Sequence, residues 1–228
     1  MNVERAAGVV LIVAPLWFNA TFALLAKRFE YPDILRRPTA EILERFRAGG
    51  SSLILLWWTF MLSGLLLIAA AVLLGQVLGF GGIVPLAVTI GVLAGLVQML
   101  GLLRWVYVVP ALARAYADPT LTPEQREVHV AVFRALHQYL GVGVGEHLGY
   151  LFTGIWSVLI GVGVIQGTAL PTWLGWSGVV IGAGLMVGSA EFLGPNEERG
   201  WGLAGAVIPL LYIAWSLWLL AMGIALIV

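Results

Sequence analysis

Few residues in this chain could do chemistry, and most of them fall in one zone. His129, His137 and His147 are its three histidines, and Glu146 stands beside the last. Axial ligation of a haem from facing helices needs a histidine on a second span. All three belong to one helical region, so only a second copy of the chain could complete such a pair. Gly175-Trp176-Ser177-Gly178 carries the GxSG pattern of intramembrane serine proteases, whose serine needs a base within hydrogen-bond reach. Ser177 opens its span from one side of the membrane, His147 lies near the opposite side, and the last span has no histidine, so the pattern reads as coincidence. No HExxH, phosphate-binding loop or dinucleotide fingerprint occurs. The absence of cysteine removes disulfides, thiolate metal sites and cysteine nucleophiles. No catalytic residue, metal ligand or cofactor is assigned, although a bound lipid is allowed for.

What remains is a polar stripe and an ionic cluster. Glu146, Tyr150, Thr153 and Ser157 follow at i, i+4, i+7 and i+11, within roughly 60° of one another on a helix. In a bilayer such a row should face protein, because lipid leaves it unsatisfied. Asn19, Gln98 and Tyr212 on other spans are candidate partners. Arg104, Glu146, His147 and Glu191 all fall where spans meet the same membrane surface, which predicts an ion pair of Arg104 with Glu146 or Glu191, with His147 or Tyr150 alongside. An ionisable group at such depth pairs or marks a site. An anchoring salt bridge is the plainer reading of the cluster, and the stripe is read first as fastening helices, with a lining for a ligand or polar passage as the alternative.

The elements that must position these groups are membrane spans. Of 228 residues, 61% are hydrophobic and 11% charged, against roughly a quarter charged in a soluble domain. No charged residue occurs between Arg47 and Arg104, between Glu146 and Glu191, or after Arg199. About twenty apolar residues cross a bilayer as a helix, so the expected spans are 8–26, 52–74, 83–103, 142–165, 172–190 and 201–227. The fold is all-α, one transmembrane domain over residues 1–228, a six-span bundle with two further amphipathic helices. The first of these, 40–48, sets Ile42, Leu43 and Phe46 against Glu41, Glu44, Arg45 and Arg47. The second, 123–139, opens on Thr122-Pro123-Glu124-Gln125, a capping-box start. Both are expected to lie on the membrane surface, apolar face down.

Met1-Asn2-Val3-Glu4-Arg5 leads into an apolar run with no small-residue cleavage site, and is read as a retained first span. Eleven of the 12 basic residues, all but Arg5, fall on one side of a six-span arrangement. That side is expected to be cytoplasmic, with both termini outside a bacterial inner membrane. Zero net charge offers no field for nucleic acid.

Glu146-His147-Leu148-Gly149-Tyr150-Leu151-Phe152-Thr153-Gly154-Ile155-Trp156, then Leu170-Pro171-Thr172-Trp173-Leu174-Gly175-Trp176 and a glycine-rich span, resemble a bacterial multi-pass membrane family known as domain of unknown function four-three-eight-six. The resemblance implies a fold and a compartment, and brings no reaction or functional residue with it.

Glycine, present 29 times, is concentrated inside spans. Gly141, Gly145, Gly149, Thr153, Ser157 and Gly161 recur every four residues as a ridge of small side chains, along which membrane helices approach closely. Gly91 and Gly95, and Gly178 and Gly182 with Gly184 and Gly188, repeat the spacing. The fourth span is therefore expected at the centre of the bundle, against the third and fifth. The favoured function is a non-enzymatic accessory subunit, or a binder of a lipid-like or apolar small molecule, whose partners are the bilayer and a membrane protein or second copy. A small transporter is the first alternative, because two hairpins each have a second member opening with proline, at Pro85 and Pro171, as parallel repeats can. An intramembrane enzyme using Glu146 and His147 is the second.

Overall fold

A computed structural model describes residues 2–228; Met1 lies outside them. The chain is helical almost throughout, with no strand among the described residues. Helix α1 runs Val3–Phe29, α2 Thr39–Leu78, α3 Val84–Tyr116 and α4 Pro123–Leu136. A 12-residue π-helical stretch, His137–Leu148, carries α4 without a break into α5, Gly149–Gln166. Helix α6, Thr172–Gly188, is followed by the short α7, Pro195–Arg199, and by α8, Gly202–Ile227. Six of these helical segments are long and apolar enough to cross a membrane.

Local chemistry explains where they start and stop. Asn2 caps α1 by accepting from the Arg5 N–H at 3.0 Å, with Glu4 in the first turn and Lys27 and Arg28 in the last, each charge matched to the helix dipole. The expected capping box opens α4: Thr122 accepts from the Gln125 N–H and the Gln125 side chain accepts from the Thr122 N–H. Gly50, with φ 57° and ψ −155°, breaks α2 in two. A Cβ there would meet nothing, so the demand on glycine is conformational.

The spans form a closed ring in chain order. α1 packs on α2, α2 on α3, α3 on the π-helical stretch and α5, α5 on α6, α6 on α8, and α8 returns to α1. Direction alternates around the ring. Backbones meet at glycine pairs: Gly8 with Gly223, Gly64 with Gly95, Gly101 with Gly145, Gly154 with Gly182, and Gly161 with Gly175. Without a hydrophobic drive between helices in lipid, close backbone contact supplies the dispersion energy that holds the ring. The fourth span thus lies against the third and fifth, as expected, but no helix is central. Side chains fill the axis instead, among them Leu67, Leu74, Trp156, Trp215, Trp218 and Leu219.

Three expectations change in detail. Helix α3 does not end near Leu103 but continues to Tyr116, so Arg104 is inside it and only 5% exposed. Trp57 stacks on Trp105 at 4.6 Å, seven residues beyond the Gly50 break, which places Arg104 about 10 Å along the bundle from it. Both amphipathic segments are helical, yet protein covers their apolar faces. Ile42, Leu43 and Phe46 are buried with Phe29, Trp57 and Trp105 in a second core, and Val130 and Phe133 also face inward. Exposed Trp173 and Trp176 mark one rim of the ring, while Tyr107 and Tyr139 mark the other, where aromatic belts meet the bilayer interface.

Candidate functional site

The polar stripe of the fourth span looks into the ring. Thr153 and Ser157 are fully buried. Gln98 Nε2 donates to Thr153 Oγ1 at 3.0 Å, so one expected partner is in place. Ser157 Oγ donates to the Thr153 carbonyl at 2.8 Å and accepts from Trp215 Nε1 at 2.9 Å. Asn19 is elsewhere: its Nδ2 donates to Ser216 Oγ at 3.0 Å and to the Pro15 carbonyl at 2.7 Å, tying α1 to α8. The upper half of the stripe is therefore a satisfied network that fastens helices.

The lower half differs. Tyr150 packs edge-on against Tyr212, ring centroids 5.0 Å apart, and against Phe192 at 5.2 Å. From Tyr212 the rings run on to Phe18 at 6.2 Å, from Phe18 to Phe60 at 5.3 Å, and from Phe22 to Tyr31 at 5.6 Å. Tyr31, Tyr150, Tyr212 and Glu146 are each half-buried. None of their side-chain oxygens has a hydrogen-bond partner among the described residues, and none is sealed off by its neighbours. The Glu146 carboxylate lies within electrostatic range of all three hydroxyls. Burial raises the Tyr31 hydroxyl well above its ordinary pKa; Glu146 adds to the rise and Arg104 opposes it, so the loop tyrosine reads both charges.

Tyr31 is held there by an ionic lattice. Glu30, in left-handed conformation at φ 55°, accepts from Arg37 and from Arg45 Nη1, the latter at 2.5 Å. Glu41 joins Arg37 at 2.6 Å and Arg45 at 3.0 Å. The hydrogen bond from Arg45 lowers the Glu30 pKa first, and the charges of Arg37 and Arg45 lower it further.

The expected ion pair of Arg104 is not formed: neither Glu146 nor Glu191 comes within 4 Å of its guanidinium among the described residues. Arg104 Nη1 donates instead to the Gly101 carbonyl, and the guanidinium lies against the bare Cα of Gly141, with its carbon 5.3 Å from the centre of the Trp105 ring. Its Nε has no partner. The side chain is folded back along its own helix because the ridge glycine leaves room for it. Glu146 acts on it from beyond contact distance. His147 Nδ1 pairs with the Ser189 carbonyl at 2.9 Å, which joins the π-helical stretch to the short 3-10 turn carrying Glu191.

The glycines resolve into two faces. Gly141, Gly145 and Gly149 meet Arg104, Gly101 and Gln98 of α3, whereas Gly161 meets α6 at Gly175. Gly91 lies against Ala71 and Trp156, Gly95 against Gly64, Gly178 against Trp218 and Gly182 against Gly154. A narrow apolar crevice lined by Ala14, Phe18, Leu67, Gln98, Tyr212 and Leu219 joins the open tyrosine zone through Tyr212 and Phe18. Sequence reasoning missed Tyr31, Phe60 and Trp215 at this site. The i, i+4 pair of Phe18 and Phe22 was the one available signal.

No group of histidines and acids able to hold a metal occurs among the described residues. No curated protein and no solved structure matches the chain. A family model described as Domain of unknown function (DUF4386) matches residues 6–223. The family description names no reaction, so the roles of these residues rest on geometry. Matched over nearly its whole length, this integral membrane protein with six apolar helices belongs to that family.

Proposed function

We propose that this protein is a non-enzymatic membrane binder of a small amphipathic molecule, held inside the helix ring with its apolar part along the Phe18–Leu67–Leu219 crevice and its polar end among Tyr31, Tyr150, Tyr212 and Glu146. One observation carries the reading: four polar oxygens that are open and without partners converge at one end of a largely apolar interior, whereas the other unpartnered polar atoms are nitrogens sealed in by their neighbours. Buried polar groups ordinarily find hydrogen bonds, and ligand sites combine an apolar lining with a few convergent polar groups. The polar row above them is satisfied, so the open set is local. The six apolar helices put this interior within a bilayer, where lipid-like molecules are concentrated. The concentration of basic side chains at the end that carries the site supports a cytoplasmic position for that end, with the chain in a bacterial inner membrane.

The test is native mass spectrometry from mild detergent. The wild-type protein is expected to retain an apolar or amphipathic molecule. Ala70→Leu, which places a larger side chain in the crevice wall, is expected to lose it while remaining folded and monodisperse. A wild-type protein that carries no such molecule after extraction, and takes up none when lipid extract is added, refutes the reading.

A further inference from the structure

The polar end of the site has a definite chemical character. Rings from α1, the following loop, α2, α5 and α8 form a continuous arc, with successive centroids 5.0 to 6.3 Å apart. Glu146 precedes Tyr150 by one helical turn and shares its face. The charge turned toward the open space is negative. Arg104, the basic group that acts on it, is 5% exposed, is folded onto the Gly101 carbonyl and is flattened against Gly141. A carboxylate at this depth without a contact partner is costly, and a cation from outside the chain would complete it. Aromatic faces favour the same sign of charge, because the ring quadrupole is negative over the face, and aromatic cages select alkylammonium groups. A hydrated inorganic ion would instead ask for several oxygen ligands at fixed distance, which one carboxylate among rings does not supply.

We infer that the polar end of this site receives an organic cation, an alkylammonium head on an apolar tail, held by the Glu146 carboxylate and by the rings of Phe18, Phe22, Tyr31, Tyr150 and Tyr212. The inference rests on the ligand-binding reading above and narrows it to one head group. The tyrosine hydroxyls are left to the atoms linking head and tail.

Three probes with the same ten-carbon chain separate the cases: decyltrimethylammonium, decanoate and decanol, titrated into the full-length protein in lipid nanodiscs and followed by intrinsic tryptophan fluorescence. The ammonium is expected to bind at least tenfold more tightly than either other probe. Glu146→Gln should remove that preference, bringing the ammonium affinity down to that of decanol. Removing this carboxylate leaves Arg104 uncompensated and could cost folding, so two further variants carry the same test. The double variant Arg104→Met with Glu146→Gln removes both charges together. Tyr150→Leu keeps the charges and breaks the arc, and should weaken ammonium binding at least fivefold more than it weakens decanoate binding. Preferred binding of decanoate overturns the inference and makes Arg104 the anchor. Equal binding of all three probes overturns it while leaving an apolar-ligand site intact, and binding of none overturns the ligand-binding reading as well.

Discussion

Gly101→Ala is the sharpest probe of the ring. A Cβ at Gly101 would lie 2.5 Å from the Gly145 Cα, 3.0 Å from the Leu140 carbonyl oxygen and 3.1 Å from the Gly145 nitrogen. All three atoms are backbone, so no rotamer change can relieve the contact. Carbon atoms pack at about 3.5–4.0 Å, so α3 must part from the π-helical stretch by roughly 1 Å or more. That movement also stretches the Gln98–Thr153 hydrogen bond, 3.0 Å long and less than one turn away. The overpacking term alone is about 1–3 kcal/mol, and a lost buried hydrogen bond adds about 1 kcal/mol. Neighbouring glycines calibrate the scale. At Gly145 the nearest approach is 3.1 Å, to the Gly101 Cα; at Gly149 it is 3.2 Å, to the flexible Gln98 Cγ; at Gly143 it is 3.6 Å, an ordinary contact. Alanine in a helix interior is favoured over glycine by about 0.5–1 kcal/mol, which offsets the smaller clashes. The destabilisation should fall in the order Gly101, Gly145, Gly149, Gly143, with Gly143→Ala neutral or stabilising. Reversible unfolding in mixed micelles by graded addition of sodium dodecyl sulfate measures it. A Gly101→Ala protein as stable as Gly143→Ala would refute the close contact and the ring register built on it.

Trp218→Phe removes the indole N–H that donates to the Leu174 carbonyl at 2.8 Å and should cost about 0.5–1.5 kcal/mol in the same titration, the net worth of one hydrogen bond, because that carbonyl lies within α6 and keeps its helical partner. Glu30 binds its proton less tightly when folded than its ordinary value of 4.5, so its contribution to stability is complete above that value and is lost as pH falls through the lowered one. A thermal melt series from pH 6 to pH 3 should show this loss, and Glu30→Gln should flatten it; an unchanged slope would remove the lattice as its source. Single cysteines at Arg45 and Trp173, exposed to an impermeant thiol reagent in intact cells with a permeable outer envelope, should label at Trp173 and not at Arg45. The reverse pattern would invert the proposed orientation.

Hydropathy made the six spans legible, because bilayer thickness imposes a length that composition records. It could not locate their true ends. Arg104 looked like the end of a helix because a lone charge usually meets water, yet the missing side chain at Gly141 and the Gly101 carbonyl let it remain inside α3. The amphipathic faces of 40–48 and 123–139 were equally visible, but whether lipid or protein covers an apolar face is a tertiary matter. At the site, the stripe from Glu146 to Ser157 followed from periodicity, and Gln98 was found as the one strong polar group on the third span. Tyr31 had no such signal: it lies in a loop, and only the lattice of Glu30, Arg37, Glu41 and Arg45 brings it over the bundle end. Glycine periodicity found ridges, but Gly101 stands apart from them and its closeness to Gly145 depends on the register of two helices.

The closure of the ring by α1 and α8 also bears on biogenesis. Helices in chain order each find the previous one already in the membrane, so five of the six interfaces can form during synthesis, as N-terminal segments fold first. The sixth joins Gly8 to Gly223 and Asn19 to Ser216 across most of the chain. Until α8 inserts, the inner face of α1 and the floor around Tyr150 are open sideways to lipid, so under the proposed ligand-binding reading loading from the bilayer needs no gate at that stage. Insertion of the last helix then converts an open sheaf into a closed vessel.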